Sequence, residues 1–382
     1  MSIRSNILAL VAVGLSPFRP RGPKRVVLYG PKLNGNLKAF VDYVERTGVD
    51  NGHYVIAYAA PDPQYCREVS AAHPSLRVLC TTNLKDMVEI GQASAVITSH
   101  FLDNLAILNA LTTIKFINVW HGIGWKGHVP NDFAFLARYA DNWVTSPAFK
   151  RIYEHDFGIK SPVHVTGYAR TDDAVRGNFS AEAIKKRYGI SPSFGKIILF
   201  APTWAQDHGR HSLFPFGTTA EQFLAGLNAA GRACNGLVIV RTHLNSGDIT
   251  MPDGLDNIAF MPSNTYPVTE DFLAVADVLI TDWSSVVFDF LPLGRPIIFL
   301  DTPVPFERLC FDASYRFGEI VASLPRLNKV ISEYAVRPGR YQEAHAALIK
   351  KAIQLGYDTT LDGRSAERYH RRLLELIEPA AS

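Results

Sequence analysis

Short apolar runs alternate with stretches of helical periodicity along most of this chain. The runs are mostly continuous in their apolar character, which is typical of parallel strands that helices cover on both faces. Between several of them, apolar positions recur at helical spacing, as in Leu37–Arg46 and Pro147–Phe157. The segments predicted as strands are Val26–Tyr29, Tyr54–Tyr58, Arg77–Leu79, Ala95–Thr98, Lys115–Val119, Asn142–Thr145, Val163–Val165, Lys196–Phe200, Leu237–Val240, Ile258–Phe260, Val278–Ile280 and Ile297–Leu300.

This alternation predicts an α/β protein with two doubly wound, Rossmann-like domains. At 382 residues, the chain is long enough to form two cores. Polar and glycine residues cluster at 170–180, so we place an N-terminal domain at 23–175 and a C-terminal domain at 176–382. The amphipathic helices predicted at Arg340–Gly356 and Arg364–Ile377 would close the C-terminal domain. Open α/β sheets bind ligands beyond the carboxyl ends of their strands, and several polar clusters of this chain fall there.

The segment 1–22 is predicted to lie on a membrane surface. Its apolar run, Ile7–Leu15, is too short to span a bilayer as a helix. Pro17 follows the run, and then come the basic residues Arg19, Arg21, Lys24 and Arg25. Basic residues after an apolar run favour the cytoplasmic side and attraction to anionic lipid. A helix packed on the protein's own surface fits the same pattern.

Composition narrows the function classes. The net charge of +3 is too small to argue for nucleic acid as a partner. The four cysteines have no CxxC spacing, which excludes a recognisable zinc site or disulfide framework and fits a reducing, cytoplasmic setting. The chain has no GxxxxGK[ST], no GxGxxG after its first strand, no HExxH and no Asp-x-Asp. We therefore expect neither a cofactor nor a metal. Any phosphate chemistry would then be carried by His, Arg, Lys and hydroxyl groups.

The segment Ala276–Leu291 is the most informative stretch of the chain. A predicted strand ends in a polar turn that contains Asp282, Ser284 and Ser285, and an apolar helix carrying Asp289 follows. Helix N-termini present unpaired N–H groups, and serines there can cap the helix or bond a ligand oxygen. The segment thus predicts a nucleotide and phosphate cradle. A well-capped strand–helix turn without a ligand is the alternative.

A second cluster follows the predicted strand Lys115–Val119. It contains His121 and Lys126 among several glycines. A histidine titrates near neutral pH and is suited to take a proton from an attacking hydroxyl, and a lysine would stabilise the developing anion. The alternative is a structural histidine that caps the strand end.

Three further residues are candidates for binding phosphate. Arg170 follows a Gly-Tyr turn and would bind phosphate oxygens through two N–H groups, although a salt bridge between domains is equally compatible. Thr203 offers a hydroxyl after the strand Lys196–Phe200. His243, with Arg241 beside it, would suit diphosphate oxygens.

Together these motifs resemble the CDP-glycerol glycerophosphotransferases of teichoic-acid and capsule synthesis. The likeness runs from about Lys24 to His370 and departs from the family pattern at Ile123-Gly124, which replace Thr-Pro, and at Ala169, which replaces Pro. The matching segments are Trp120–Lys126, Gly167–Asp172, Ala201–Trp204, Thr242–Leu244, Ala276–Phe290 and Asp362–Arg368.

The resemblance implies a GT-B architecture with an interdomain cleft. It also implies that an acceptor hydroxyl attacks the glycerol-bearing phosphorus of CDP-glycerol and expels CMP, on a lipid-linked or polymer acceptor at the cytoplasmic face of the membrane. His121 would be the general base. The residues implied in donor binding are Arg170, Thr203, His243, Asp282, Ser284, Ser285 and Asp289.

Other functions remain open from the sequence. The departures at Ile123-Gly124 and Ala169 allow CDP-ribitol or another polyol as the donor. A GT-B glycosyltransferase would instead move a sugar from a nucleotide sugar. A protein without catalysis, acting as a membrane-bound scaffold of polysaccharide assembly, is a third class, but it would have no need for His121, Lys126, Arg170 and Asp289.

Overall fold

The computed structural model describes residues 3–18, 22–50, 52–203, 213–242, 252 and 254–378. The chain divides into two compact units, and each is made of more than one segment. The first unit comprises Met1–His121, Val129–Asp172 and Thr359–Ser382, and the second comprises Gly122–His128 and Asp173–Asp358.

The first unit is built on a parallel sheet. In the described residues it has seven strands in the order β3-β2-β1-β4-β5-β6-β7. Val26, Leu28, Tyr58 and Ile97 on its strands lie in the core beneath the covering helices. The strands are β1 (Lys24–Tyr29), β2 (Tyr54–Ala60), β3 (Arg77–Cys80), β4 (Ala95–Thr98), β5 (Lys115–Asn118), β6 (Asp141–Val144) and β7 (Val163–Val165).

Helices connect these strands. The predicted helix Pro147–Phe157 is an α-helix only as far as Arg151, because a π-helical turn, Ile152–Asp156, continues it. A 3-10 segment, Pro130–Arg138, follows β5. The α-helices are α1 (Ile3–Leu15), α2 (Gly35–Thr47), α3 (Pro63–Ala72), α4 (Leu84–Gly91), α5 (Ala106–Leu111) and α6 (Pro147–Arg151). Helix α7 (Asp172–Arg176) begins at the last residue of the segment Val129–Asp172 and continues into the second unit.

The second unit contains a parallel sheet of its own. Within the described residues its six strands have the order β10-β9-β8-β11-β12-β13. They are β8 (Lys196–Phe200), β9 (Gly236–Val240), β10 (Ile258–Phe260), β11 (Val278–Thr281), β12 (Ile297–Leu300) and β13 (Glu319–Val321). The helices are α8 (Ala181–Arg187), α9 (Ala220–Ala233), α10 (Thr269–Val275), α11 (Val286–Phe290), α12 (Leu324–Val336) and α13 (Gly339–Gly356).

The predicted fold class is confirmed, since both units are doubly wound parallel α/β structures. Every strand predicted from the apolar runs is present, with ends shifted by a residue or two. The pattern did not predict β13, a three-residue edge strand in which Ile320 is exposed and Val321 is buried. In each sheet the strand order reverses between two neighbours, β1 and β4 in the first and β8 and β11 in the second. Ligands of doubly wound sheets bind at such reversal points.

The last helix belongs to the first unit. Helix α14 (Ser365–Ile377) follows the second unit in the chain, and we predicted that it would close the C-terminal domain. In the structure its Tyr369 and Leu373 instead join the core beneath the first sheet. Tyr369 lies 4.8 Å from the ring of Trp143 and 6.0 Å from that of Phe40. The apolar stripe of α14 was identified correctly, but the sheet it covers was not.

Helix α1 packs on the first unit and exposes an apolar face. Ala9 and Ala12 are fully buried, whereas Ile7, Leu10 and Leu15 are exposed. No helix in the described part of the chain is long and apolar enough to span a bilayer. The interpretation of this segment as a helix packed on the protein's own surface is confirmed, and contact of its exposed face with a membrane stays a prediction.

Candidate functional site

His121 lies just beyond the carboxyl end of β5 and is exposed. Its Nδ1 lies 3.0 Å from the backbone carbonyl oxygen of Ser99, which follows β4. A carbonyl oxygen can only accept a hydrogen bond, so Nδ1 carries the proton and the lone pair of the neutral ring is on Nε2. This is the tautomer that a base acting through Nε2 requires.

A second imidazole packs flat against His121. The rings of His100 and His121 have centroids 4.6 Å apart and planes inclined by 10°. His100 Nδ1 lies 2.8 Å from the hydroxyl of Ser99. Burial lowers the pKa of His100 to about 3, helped by the neighbouring His121 and Arg170. His100 is therefore neutral at physiological pH.

The residue before His121 has an unusual backbone conformation. Trp120 has φ +48°, a left-handed value that bulky side chains rarely adopt. Side-chain amides hold it there: Asn36 Nδ2 donates to the carbonyl oxygen of Trp120 at 3.2 Å, and the N–H of Trp120 donates to Asn118 Oδ1 at 3.1 Å. Strained backbone of this kind concentrates at functional sites. Here it sets the direction in which His121 leaves the strand.

Arg170 lies beside His121. Its Nη1 donates to the carbonyl oxygen of His121 at 2.6 Å, and its backbone N–H donates to Asn36 Oδ1 at 3.2 Å. Both residues belong to the first unit. The guanidinium thus brings a permanent positive charge next to the candidate base.

Neighbours of Arg170 in the same motif have a structural role. Asp172 accepts hydrogen bonds from the backbone N–H groups of Ser365 and Ala366, at 3.0 and 2.8 Å, and so caps α14. Gly167 has φ +83°, and a Cβ there would overlap the hydroxyl of Ser365. Arg368 Nε donates to the carbonyl oxygen of Thr166 at 2.7 Å. Two motifs far apart in sequence therefore meet to fix the loop that carries Arg170.

In the second unit, Thr203 and Asp282 meet at the reversal point between β8 and β11. Asp282 Oδ1 accepts from both the hydroxyl and the N–H of Thr203, at 2.6 and 2.8 Å, and from the N–H of Trp283 at 2.6 Å. Asp282 is buried. Its carboxylate ties two strand ends together beneath the turn, and this bonding shapes the turn that presents the serines.

The remaining hydroxyls and carboxylate follow Asp282. Ser284 and Ser285 are half-buried, and Asp289 is buried on α11. Gly122, which follows His121 in the chain, lies against this turn: a Cβ there would come within 3.1 Å of Ser285 Oγ. A larger residue at Gly122 would press on that hydroxyl.

Trp125 anchors the segment that follows His121. It is buried in the second unit, with ring centroids 4.8 Å from Phe311 and 5.6 Å from both Trp283 and Phe288. Lys126 is exposed, and its backbone pairs with Leu309. Lys126 thus lies on the second unit, whereas His121 lies on the first.

The side chains able to bind phosphate oxygens are of two kinds. The first unit supplies the guanidinium of Arg170, and the second supplies the hydroxyls of Ser284 and Ser285. The buried hydroxyl of Thr203 already donates its proton to Asp282 at 2.6 Å, so Thr203 has a structural role instead of the predicted phosphate-binding one. Within the described ranges, no three His, Cys, Asp or Glu side chains lie together as metal ligands.

Several expectations need correction. Arg241, the residue that flanks the predicted diphosphate ligand His243, is buried and donates to the carbonyl oxygens of Met261 and Tyr266, at 3.2 and 2.6 Å. Burial lowers its pKa to about 10. Ile123 and Ala169, the positions that depart from the family pattern, are buried packing residues. The prediction for His243 falls outside the described residues.

Sequence reasoning missed the residues that support His121. Ser99, His100 and Asn36 were not singled out, although Ser99-His100 is a polar pair directly after a predicted strand. Strand β4 neighbours β5, which ends before His121, and it lies at the reversal point of the first sheet. A search for polar residues at every strand end would have found this pair.

Comparison with known proteins identifies the family. A family model described as CDP-Glycerol:Poly(glycerophosphate) glycerophosphotransferase matches residues 23–375 and confirms the resemblance carried by the motifs. A teichoic acid poly(glycerol phosphate) polymerase of Bacillus spizizenii is 30% identical over 50% of this chain and 53% of its own length. A teichoic acid ribitol-phosphate polymerase of Staphylococcus aureus is 23% identical over 70% of this chain and 52% of its own. The chain spans about half the length of these relatives.

A solved structure shares the fold. The wall teichoic acid polymerase TagF aligns with a TM-score of 0.76 at 17% identity, over 99% of this chain and 95% of that chain. This likeness supports a GT-B-like architecture of two parallel-sheet α/β domains.

Proposed function

Since the chain belongs to the CDP-glycerol:poly(glycerophosphate) glycerophosphotransferase family, we propose that it transfers a glycerol-phosphate unit from CDP-glycerol to a hydroxyl of a membrane-linked acceptor and releases CMP. The product belongs to a teichoic-acid-like or capsular polymer. The observation that carries the proposal is the geometry of His121, whose Nδ1 is held by the Ser99 carbonyl at 3.0 Å beside Arg170.

In the proposed reaction, the acceptor oxygen attacks the glycerol-bearing phosphorus of the donor. A new oxygen–phosphorus bond forms while the bond to CMP breaks, and CMP leaves with the electron pair. The acceptor proton passes to His121 Nε2. Arg170 and Lys126 offset the negative charge that develops, and Ser284 and Ser285 bind donor oxygens. Such phosphoryl transfer depends mostly on positioning and charge stabilisation.

The polyol carried by the donor is a separate question. Two teichoic acid ribitol-phosphate polymerases of Staphylococcus aureus are also among the relatives of this chain. CDP-ribitol is therefore the second candidate donor. The buried positions of Ile123 and Ala169 indicate that these substitutions change packing, so they give little reason to prefer either polyol.

We also propose that the protein works at the cytoplasmic face of the membrane, on which the exposed side of α1 rests. The basic residues after α1 contribute less than the sequence indicated. Lys24 Nζ donates to the carbonyl oxygen of Ile377 at 2.5 Å, and Arg25 pairs with Glu89 at 3.3 Å. Arg19 and Arg21 lie outside the described residues. The apolar face is thus the main support for membrane contact.

The proposed reaction is tested by CMP release. Purified protein is offered CDP-glycerol, CDP-ribitol or a nucleotide sugar with a lipid-linked acceptor mimic, and the nucleotide products are separated by chromatography. We expect CMP from a CDP-polyol and a loss of about 10²–10⁴-fold in turnover in His121→Ala, with donor binding retained.

A matched control is His53→Ala. His53 is an exposed histidine at the amino end of β2, whereas His121 follows the carboxyl end of β5, and it pairs with Glu378 at 2.8 Å. This variant should keep the native rate. Native turnover in His121→Ala would remove the general base from the mechanism. Release of a nucleoside diphosphate from the sugar donor would identify a glycosyltransferase instead.

A further inference from the structure

The loop after β4 supports His121 through two different contacts. The Ser99 carbonyl fixes the protonated Nδ1, and the ring of His100 covers one face of the imidazole at 4.6 Å. The loop is itself rigid, because Thr98 Oγ1 donates to the carbonyl oxygen of His100 at 2.9 Å and accepts from the N–H of His100 at 3.2 Å. Two hydrogen bonds thus hold the backbone of His100 in place.

The charge state of His100 suits this position. The charged groups that face it are His121, on the strand-end loop after β5, and Arg170, on the loop after β7. A second positive charge would oppose protonation of His121 during the reaction. A neutral ring avoids that repulsion, and its π face is attracted to an imidazolium.

From these contacts we infer that His100 is a positioning residue for His121. Its flat, neutral ring holds the imidazole in the plane in which Nδ1 donates to the Ser99 carbonyl, so that the lone pair stays on Nε2. His100 has no contact with the reacting atoms in this role. The inference rests on the proposed function, because His121 must act as a base for its orientation to affect turnover.

The test compares two replacements of His100. His100→Phe keeps a flat ring that cannot titrate, and His100→Ala removes it. We expect His100→Ala to lower kcat by about 10- to 100-fold with little change in the KM for the donor, because the base is misplaced while the donor contacts remain. His100→Phe should recover most of the native kcat.

A spectroscopic measurement separates this inference from the proposed function. Protein labelled with ¹⁵N-histidine reports the tautomer of His121 through its ring nitrogen shifts, and the spectrum of His121→Ala identifies the signal. The native protein and His100→Phe should show the Nδ1–H form. In His100→Ala the signal should move toward the Nε2–H form that a free imidazole prefers.

The outcomes have distinct meanings. If the wild type releases no CMP yet the tautomer shifts as expected, the proposed function fails, and what stands is that His100 orients the ring of His121. If His100→Ala keeps both the native kcat and the native tautomer, the inference is wrong. It is also wrong if His100→Phe is as impaired as His100→Ala in kcat and tautomer, since the ring alone should suffice. Thermal unfolding of each variant checks that a loss of activity is not a loss of fold.

Discussion

A neutral, half-buried imidazole affects stability as well as chemistry. The pKa of His100 is about 3 in the folded protein, lowered chiefly by burial, whereas an unfolded histidine titrates near 6.5. As the pH falls below about 6.5, the unfolded chain binds a proton at this position that the folded protein does not. The free energy of unfolding therefore decreases toward acid, by at most about 1.4 kcal/mol per pH unit for this one group.

We therefore expect the free energy of unfolding, measured with urea at pH 7.5, 6 and 5, to depend on pH differently in the wild type and in His100→Phe. Phenylalanine cannot bind the proton, so the free energy of unfolding of the variant should fall less steeply between pH 6 and 5. Above pH 7 the two slopes should be the same. Equal slopes over the whole range would show that His100 is protonated as readily in the folded protein as in the unfolded chain.

Individual site residues were only partly predictable. His121 and Arg170 were chosen as candidates because charged and titratable side chains at strand ends stand out in a sequence, and in the structure they are neighbours. Their support was not found, because ring stacking and the left-handed backbone of Trp120 depend on three loops that meet only in the fold. For the same reason Arg241 looked available for a ligand, although in the structure it bonds backbone carbonyl groups.

Among the elements, α1 has two faces with different partners. Ala9 and Ala12 are small enough for the helix to lie close to the first unit, and both are fully buried. On the other side Ile7, Leu10 and Val11 are 54%, 53% and 40% exposed. Side chains of this size gain roughly 1.5–3 kcal/mol each when they are fully buried. A lipid surface would supply part of that gain.

We therefore expect the triple substitution of Ile7, Leu10 and Val11 by serine to weaken binding to anionic lipid vesicles by about tenfold or more. Co-sedimentation with vesicles measures the effect. Val336→Ser is the control, because Val336 is a 67% exposed apolar residue at the end of α12 in the second unit. Unchanged vesicle binding in the triple variant would limit α1 to its packing role.

Helices and strands could be predicted from the sequence where apolar side chains are buried along the whole element. The strands in the middle of each sheet are apolar on both faces and were all predicted. Strand β13 has one exposed and one buried apolar residue, which is too short an apolar run to be recognised in the sequence. The amphipathic stripe of α14 was also evident. The sequence did not indicate which sheet it covers, since any apolar surface would satisfy such a stripe.

At the scale of the whole molecule, α14 ties the end of the chain to the first unit. Tyr369 is buried among Trp143 and Phe40, and its hydroxyl donates to the carbonyl oxygen of Gly167 at 3.2 Å. Tyr369→Ala should lower the free energy of unfolding by about 3–5 kcal/mol, the usual range for a large buried aromatic residue. Arg371→Ala, on the exposed side of the same helix, should change it by less than about 0.5 kcal/mol.

Urea unfolding followed by tryptophan fluorescence measures both variants, because Trp143 lies next to Tyr369. A small effect of Tyr369→Ala would mean that the first unit is stable without the covering helix.

The position of α14 also determines the order in which the protein is completed during synthesis. All the strands of the first sheet have been made once residue 165 has been added, but the helix that covers Trp143 and Phe40 begins at Ser365. At roughly 5–20 residues per second, a ribosome needs about 10–40 s to add the chain between the two. During that interval the first sheet lacks the cover of α14 while the second unit is being made. The nascent chain should then depend most on chaperones, and the second unit, although later in sequence, can complete its core first.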